Sequence, residues 1–288
     1  MDVIKNRKIF WFFSLAIIVA GLLMFFINGF NYGMDFVGGT LIQVNLEKFI
    51  SVDEAKEIMD EYDKDASIVH VGSDKEEIII KSSLDFSNDE VNSIMNKYME
   101  KYDVGIDNFQ SKIVGPSMGK EIKNKAIISI ALAILGMLVY ITFRFEFYFG
   151  VAAIVALLHD MLIMLAVYSI FRIPVNSSFI AAILTILGYS INDTIVIFDR
   201  IRENIKLYPK ESIENIINNS LKQSMTRTIY TSLTTLIAVF VLYIIGVEDV
   251  KVLTLPLIIG MIAGVYSTLF IASPLWYKLR SRKIVTTD

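Results

Sequence analysis

Six stretches of the chain are too long and too apolar to be core helices of a soluble protein: residues 9–27, 126–143, 147–171, 179–198, 229–247 and 252–277. Each reaches roughly the 18 residues with which an α-helix crosses a hydrocarbon layer about 30 Å thick, so the chain reads as a six-span membrane protein. Its hydrophobic fraction of 54% exceeds ordinary soluble usage, and the excess is bunched into these runs. The first run follows Lys5, Arg7 and Lys8, as a signal peptide would. It is longer than the usual apolar core of about 7 to 15 residues, and Asn28-Gly29-Phe30-Asn31 offers no small-x-small cleavage site, so it reads as a permanent span. The absence of cysteine excludes disulfides, thiolate metal ligation and thiol catalysis.

With six spans both termini lie on one side. That side carries Lys5, Arg7, Lys8, Arg144, Arg200, Arg202, Lys206, Lys210, Lys222, Arg227, Lys278, Arg280, Arg282 and Lys283, against Arg172 and Lys251 in the short loops opposite. The positive-inside rule places the richer side in the cytoplasm, so both termini are expected there and the long segment after span one is exported. Lys120, Lys123 and Lys125 run against this count, but residues that follow a long exported domain weigh less.

The segment 33–115 changes character: polar residues dominate and short alternations replace the long runs. Residues 40–46 read as a strand, and Ser51-Val52-Asp53-Glu54 opens a helix with a capping-box pattern. Residues 67–71 and 77–81 read as strands joined by a Gly72-Ser73-Asp74 turn. Ser87-Asn88-Asp89-Glu90 opens a second helix, and 104–114 is extended. The order β-α-β-β-α-β predicts an exported α+β ferredoxin-like domain. The expected division is residues 1–32 for the N-terminus and helix 1, 33–115 for this domain, and 116–288 for a five-helix transmembrane bundle with a connection at 200–228. Within that connection residues 211–221 are weakly amphipathic; they lie along the membrane surface or pack against the span ends.

Ionisable residues inside spans carry the chemistry, since each costs about 2.5 to 3.5 kcal/mol at the bilayer centre. Asp160 lies in span three beside His159, and Asp193 in span four within Gly188-Tyr189-Ser190-Ile191-Asn192-Asp193-Thr194. Helical spacing puts Thr185, Gly188, Asn192 and Asp199 in one row and Tyr189, Asp193 and Arg200 in the next, one polar face. Span five offers Arg227, Thr228, Thr231, Ser232, Thr234 and Thr235 to match. The expectation is a proton relay of Asp193, Arg227, Asn192 and Asp160, supported by Tyr189, Thr231, Thr235, Asp199 and Arg200, in which a mobile Arg227 alternately approaches Asp193. The bland alternative is a static buried ion pair or polar clamp, and for Asp160 a hydrogen bond that locks helices. His159 should face about 100° away from Asp160, which argues against a working pair. Gly260-Met261-Ile262-Ala263-Gly264 permits close helix packing in span six. Gly115-Pro116-Ser117-Met118-Gly119-Lys120-Glu121 is one residue short between glycines for a phosphate loop and has Glu121 where Ser or Thr is needed. No metal-ligating cluster, cofactor motif or nucleophile motif stands out, so no enzyme, metal or nucleic-acid partner is expected.

Gly33-Met34-Asp35-Phe36-Val37-Gly38-Gly39-Thr40, directly after span one, resembles the signature of the SecD/SecF family of protein-export membrane proteins, with Phe36 as in its SecF branch. In it, Gly38-Gly39 permits a tight turn into the first strand and Asp35 is expected to bond nearby backbone N–H groups. Val114-Gly115-Pro116-Ser117-Met118-Gly119, His159-Asp160, the block from Gly188 to Asn204, and Arg227-Thr228-Ile229-Tyr230-Thr231-Ser232 with Thr234-Thr235-Leu236 are similar to the family in turn. The resemblance implies pairing with SecD in a resistance-nodulation-division type unit beside the SecYEG channel, with YajC as a further partner. It implies protons as the coupling ion, no cofactor, a SecA-dependent preprotein as cargo, and a bacterial inner-membrane location. The family's proton-pathway Asp falls on Asp193 and its span-five Arg on Arg227. The alternative is one half of a proton-driven exporter of small molecules or lipids.

Overall fold

The structure, a computed structural model, describes residues 2–71 and 75–285. Six helices or helical segments are long and apolar enough to cross a membrane: Val3–Asn28, Met118–Arg144, Phe147–Ile170, Ser177–Leu207, Ile213–Ile245 and Val250–Arg280. They arise from helices α1 (Val3–Asn28), α5 (Pro116–Arg144), α6 (Phe147–Ile170), α7 (Ser177–Leu207), α8 (Ile213–Ile245), α9 (Glu248–Ser267) and α10 (Ser273–Val285). The sixth span is not one regular helix: a π-helical turn, Thr268–Ala272, joins α9 to α10. Between α1 and α5 come a one-turn helix α2 (Met34–Val37), β1 (Gly39–Asn45), α3 (Val52–Met59), β2 (Ser67–Val71), β3 (Glu77–Ser82), α4 (Asn88–Tyr102) and β4 (Phe109–Val114).

The described residues divide into two compact units, one within Met1–Asn31, Ile128–Pro174 and Ser178–Asp288, the other within Tyr32–Ile127 and Val175–Ser177. The second unit is the α+β domain, with its four strands ordered β2-β3-β1-β4 and every neighbouring pair antiparallel. This is the split βαβ arrangement that the element order predicts. Period-2 alternation sets the buried face: Ile42 pairs with Ile80 and Val44 with Ile78, and all four are buried beneath Ile58, Met59, Ile94 and Tyr98 of the two helices. Both helices start where a serine ends the preceding loop. Ser87 forms the full capping box with Glu90, whereas Ser51 accepts from the Glu54 N–H at 3.2 Å without the reciprocal bond. The turn expected at 72–74 lies outside the described residues.

In the membrane unit the segment 200–228 is no separate connection. Helix α7 runs on to Leu207 and α8 begins at Ile213, so residues 213–221 are the first turns of α8 rather than a helix on the membrane surface. Their apolar side, Ile216, Ile217 and Leu221, is buried. The first helix is closed at both ends by distant residues. Asn218 of α8 accepts from the Val3 and Ile4 N–H groups at 3.0 and 3.3 Å, and Arg172 donates to the Asn28 and Gly29 carbonyls at 2.7 and 2.8 Å. Such end groups have no intrahelical partner.

Replacing Ser87 by Ala should cost about 1 kcal/mol of local stability, as loss of an N-cap does. Hydrogen exchange on the intact chain should show the Glu90 amide exchanging severalfold faster, with β1 and β3 amides unchanged.

Candidate functional site

Helix α7 carries Asp193 sixteen positions after its first residue, on the face turned into the bundle, and only 6% of its surface is exposed. Its Oδ2 accepts one hydrogen bond, from the Ser232 hydroxyl of α8 at 3.0 Å. Among the described residues its Oδ1 has no hydrogen-bond partner and the carboxyl forms no ion pair. In this conformation Arg227 is exposed and makes no ion pair with Asp193 among the described residues, so it acts on the carboxyl only through space. Asn192 is also exposed and does not touch the Asp193 carboxyl, because the next residue along a helix points about 100° away.

The supporting face divides in two. Tyr189 bridges to α8, its hydroxyl donating to the Thr231 carbonyl at 3.2 Å and to Thr235 Oγ1 at 3.3 Å. The hydroxyls of Thr231, Thr234 and Thr235 are turned back to carbonyls of their own helix, a common resting place for hydroxyls in apolar surroundings. Asp199 and Arg200 belong elsewhere. Asp199 pairs with Arg202 at 3.2 Å and Arg144 at 3.8 Å, and Arg200 pairs with Glu203 and Gln223, both at 2.6 Å. They form an ion network toward the end of the helix, about two to three turns beyond Asp193 along α7.

Asp160 belongs to a separate cluster. It is fully buried on α6; its Oδ2 accepts from Ser190 of α7 at 2.7 Å and Ser267 of α9 at 2.9 Å, and His159 Nδ1 lies 3.1 Å from its Oδ1. The opposite ring nitrogen of His159 meets Ser14 of α1 at 2.9 Å. The expectation that His159 and Asp160 point apart is thus corrected: their Cβ atoms diverge, but the imidazole is long enough to swing back across the helix surface. Four helices meet at this cluster. The Gly260 and Gly264 pair makes room for it, since a Cβ on Gly264 would lie 3.2 Å from Ser190 Cβ and one on Gly260 would lie 2.6 Å from Ile186. Thr268, opening the π turn, meets Thr194 Oγ1 at 3.0 Å beside it.

Ser232 belongs to the set that span five was expected to offer; Ser190, Ser267 and Ser14 are the partners that spacing did not single out. A lone serine in an apolar helix carries no periodic signal, and which acid it meets depends on how helices cross. The sequence offers one clue: Ser190 and Thr194 are four residues apart on α7, as are Thr228 and Ser232 on α8.

The signature residues lie in the α+β unit. Gly38 and Gly39 take φ of +85° and +124°, and a side chain on Gly39 would collide with the Ser82 carbonyl at 2.2 Å, so the tight turn into β1 requires glycine. Asp35, expected to bond nearby backbone, instead reaches across the sequence. Its Oδ2 accepts from the Ser177 N–H at 3.0 Å and its Oδ1 pairs with Lys112 of β4 at 2.9 Å. Gly33 N–H donates to the Val175 carbonyl at 2.6 Å and Phe36 is buried. Burial alone would raise the Asp35 carboxyl, but the Ser177 N–H and Lys112 outweigh it and hold it below the usual range.

Two predictions follow from these geometries. Asp160→Ala should destabilise the folded chain by about 3 kcal/mol, because it strands His159 and two serines in the interior, and thermal unfolding in detergent should show it. Asp35 is ionised more readily folded than unfolded, so its contribution is complete above the ordinary carboxyl value and disappears as pH falls through the lowered one. The Ser177 amide should then keep constant exchange protection from neutral pH down to about pH 4 and lose it only below.

Comparison with known proteins agrees with this layout. The profile described as "Protein export membrane protein SecD/SecF, C-terminal" matches residues 94–282, and "SecD/SecF GG Motif" matches residues 24–48. The chain is 36% identical to the protein translocase subunit SecF of Alicyclobacillus acidocaldarius over 98% of its own length and 94% of that protein. To the SecF of Dictyoglomus turgidum it is 38% identical, covering 96% of each. It is 35% identical to the protein translocase subunit SecDF of Bacillus subtilis over 98% of this chain but 38% of that one. A crystal structure of SecDF from Thermus thermophilus, described as a translocon-associated membrane protein, superposes with TM-score 0.86 at 30% identity, covering 98% of this chain and 39% of that chain. This chain therefore spans nearly all of the SecF proteins and about two fifths of the SecDF proteins.

Proposed function

Since the chain belongs to the SecD/SecF family of protein-export membrane proteins, we propose that it works as the SecF-type subunit of a protein translocase, coupling proton passage at Asp193 to preprotein movement. The observation that carries this reading is the state of Asp193: a carboxyl in the membrane unit, 6% exposed, with one hydroxyl for a partner and one oxygen open. A group held only to stabilise packing would be better served by a neutral side chain, since an acid in the hydrocarbon region is costly and is most often retained for what its proton does. The Ser232 hydroxyl suits both states, donating to the carboxylate or accepting from the acid. Arg227 lies on α8 five residues before Ser232, and a modest shift or rotation of α8 against α7 would change its distance to Asp193. Proton uptake would then favour one packing of the two helices and release the other.

Pairing with SecD is supported by relatives that carry SecD and SecF in a single chain, of which this chain covers the SecF share. In this reading the pair stands beside SecYEG, with YajC as a further neighbour, and acts on preproteins first driven by SecA. Both termini face the cytoplasm and the α+β domain is exported, an orientation supported by the basic residues gathered at one end of the spans. The chain does this work without a cofactor, with the proton as coupling ion.

Asp193→Asn keeps the shape and the Ser232 contact but cannot exchange a proton. In membrane vesicles holding it at wild-type amounts with its SecD partner, translocation stimulated by the proton-motive force should fall to the level seen without the gradient, while ATP-driven translocation persists. Full stimulation in that variant would end the proton-coupled reading.

A further inference from the structure

The buried face of α8 carries a hydroxyl at every fourth position: Ser220, Ser224, Thr228 and Ser232, at 0, 6, 1 and 5% exposure. Both ends of this file are fixed to α7. Ser232 donates to Asp193 at 3.0 Å, and Ser220 accepts from Asn204 Nδ2 at 2.8 Å. Between them the file is unfinished. Thr228 Oγ1 is buried with no hydrogen-bond partner among the described residues, and so is Asn204 Oδ1. Thr185, Thr194 and Thr254 turn their hydroxyls back to the carbonyl four residues earlier, whereas the Thr228 hydroxyl, like those of Ser169 and Ser273 elsewhere in the bundle, is buried without such a bond, and Thr228 alone of the three lies in this file.

Two buried polar atoms left unpaired in one seam are costly, and native proteins meet that cost with ordered water. The spacing suits it. Four helical residues rise about 6 Å, and one water bridges two hydroxyls about 5.6 Å apart with ordinary hydrogen bonds. We infer that Asn204, Ser220, Ser224, Thr228 and Ser232 line a single-file, water-bridged proton path along the α7–α8 seam, joining Asp193 to the end of the bundle where α7 and α8 meet. In the orientation proposed above that end is cytoplasmic.

The Ser220 hydroxyl rests on the Ile216 carbonyl at 2.7 Å and must turn into the file for transfer; each hydroxyl then accepts a proton on one side and passes its own to the other, so the file is regenerated by reorientation and no side chain keeps a charge. The proton leaving Asp193 restores its carboxylate, and a proton appears on water beside Asn204. The ion network of Asp199, Arg200, Arg202 and Glu203 lies along the same stretch of α7, where the path reaches bulk water. The path explains why Asp193 needs no second hydrogen-bond partner: its open oxygen receives protons and its Ser232 side passes them on. This inference rests on the proton-coupled reading of Asp193, but part of its test does not.

Thr228→Val removes the hydroxyl at constant shape, and Thr228→Ser restores it. Thr254→Val is the control, an equally buried threonine on α9 whose hydroxyl is spent on its own helix. In vesicles carrying the full chain with its SecD partner and a pH-sensitive dye, proton flux should drop roughly tenfold or more for Thr228→Val, at the low end of what a positioned proton-transfer group contributes, and recover in Thr228→Ser. Water-edited solid-state NMR on the wild-type sample reads the path without any flux. Thr228 and Ser224 should take up magnetisation from water as fast as exposed residues, and Thr254 should stay dry. A dry Thr228, or undiminished flux in Thr228→Val, overturns the path. Failure of Asp193→Asn to change translocation, with Thr228 wet, removes the coupling and leaves the water file standing.

Discussion

Asp193 and the Ser232 hydroxyl meet at 3.0 Å between α7 and α8, and the rest of the bundle is arranged around what that contact tolerates. A hydroxyl is the rare partner that satisfies a carboxyl in either charge state by turning its O–H bond. An arginine locked onto the same oxygen would fix the charge, and an apolar neighbour would fix its absence. With Ser232 the carboxyl can change state without the helices losing their contact, so any movement is left to the long-range pull of Arg227 and to the small hydroxyls and glycines lining the seam.

Asp160 shows the opposite solution. Hydroxyls from α7 and α9 and the imidazole of His159 converge on its carboxyl, and Ser14 of α1 holds the imidazole from behind. A group bonded from that many directions is a joint rather than a switch, because moving any one of the helices breaks a buried polar contact. The π turn that follows Ser267 widens the helix where Thr268 must reach Thr194. Irregular turns of this kind tend to mark functional positions in helices, and this one lets a single span serve both the joint and the regular packing on either side.

The six spans, the order of the α+β domain and an acid buried at Asp193 were legible in the sequence because each rests on a strong one-dimensional signal: a long apolar run, a change of period, a charge where none is cheap. The helix-to-helix partners were not. Whether Asp193 faced Ser232 or Arg227 depended on how α8 is rotated, and the extension of α8 back to Ile213 moved that rotation out of view of a span counted from residue 229. Asn192 and Asp193 are neighbours in sequence and opposite in environment, which periodicity registers only once one face is known to be buried. His159 misled for a different reason: a helical wheel describes Cβ directions, and a ring several bonds longer can reverse them. The π turn has no composition of its own and left no trace.

The signature segment after α1 gives Asp35 a partner 142 residues further along the chain, at the amide of Ser177. Residues 175–177 therefore fold with the α+β domain although they follow three spans. A graft that swaps this domain between relatives by cutting only at its apparent borders would leave behind a third piece of it, the short stitch that receives the Asp35 carboxylate. Chimeras within the family should be assembled from the domain and that tripeptide together, and a recipient supplying a foreign tripeptide would begin its fourth span from an unfastened amide.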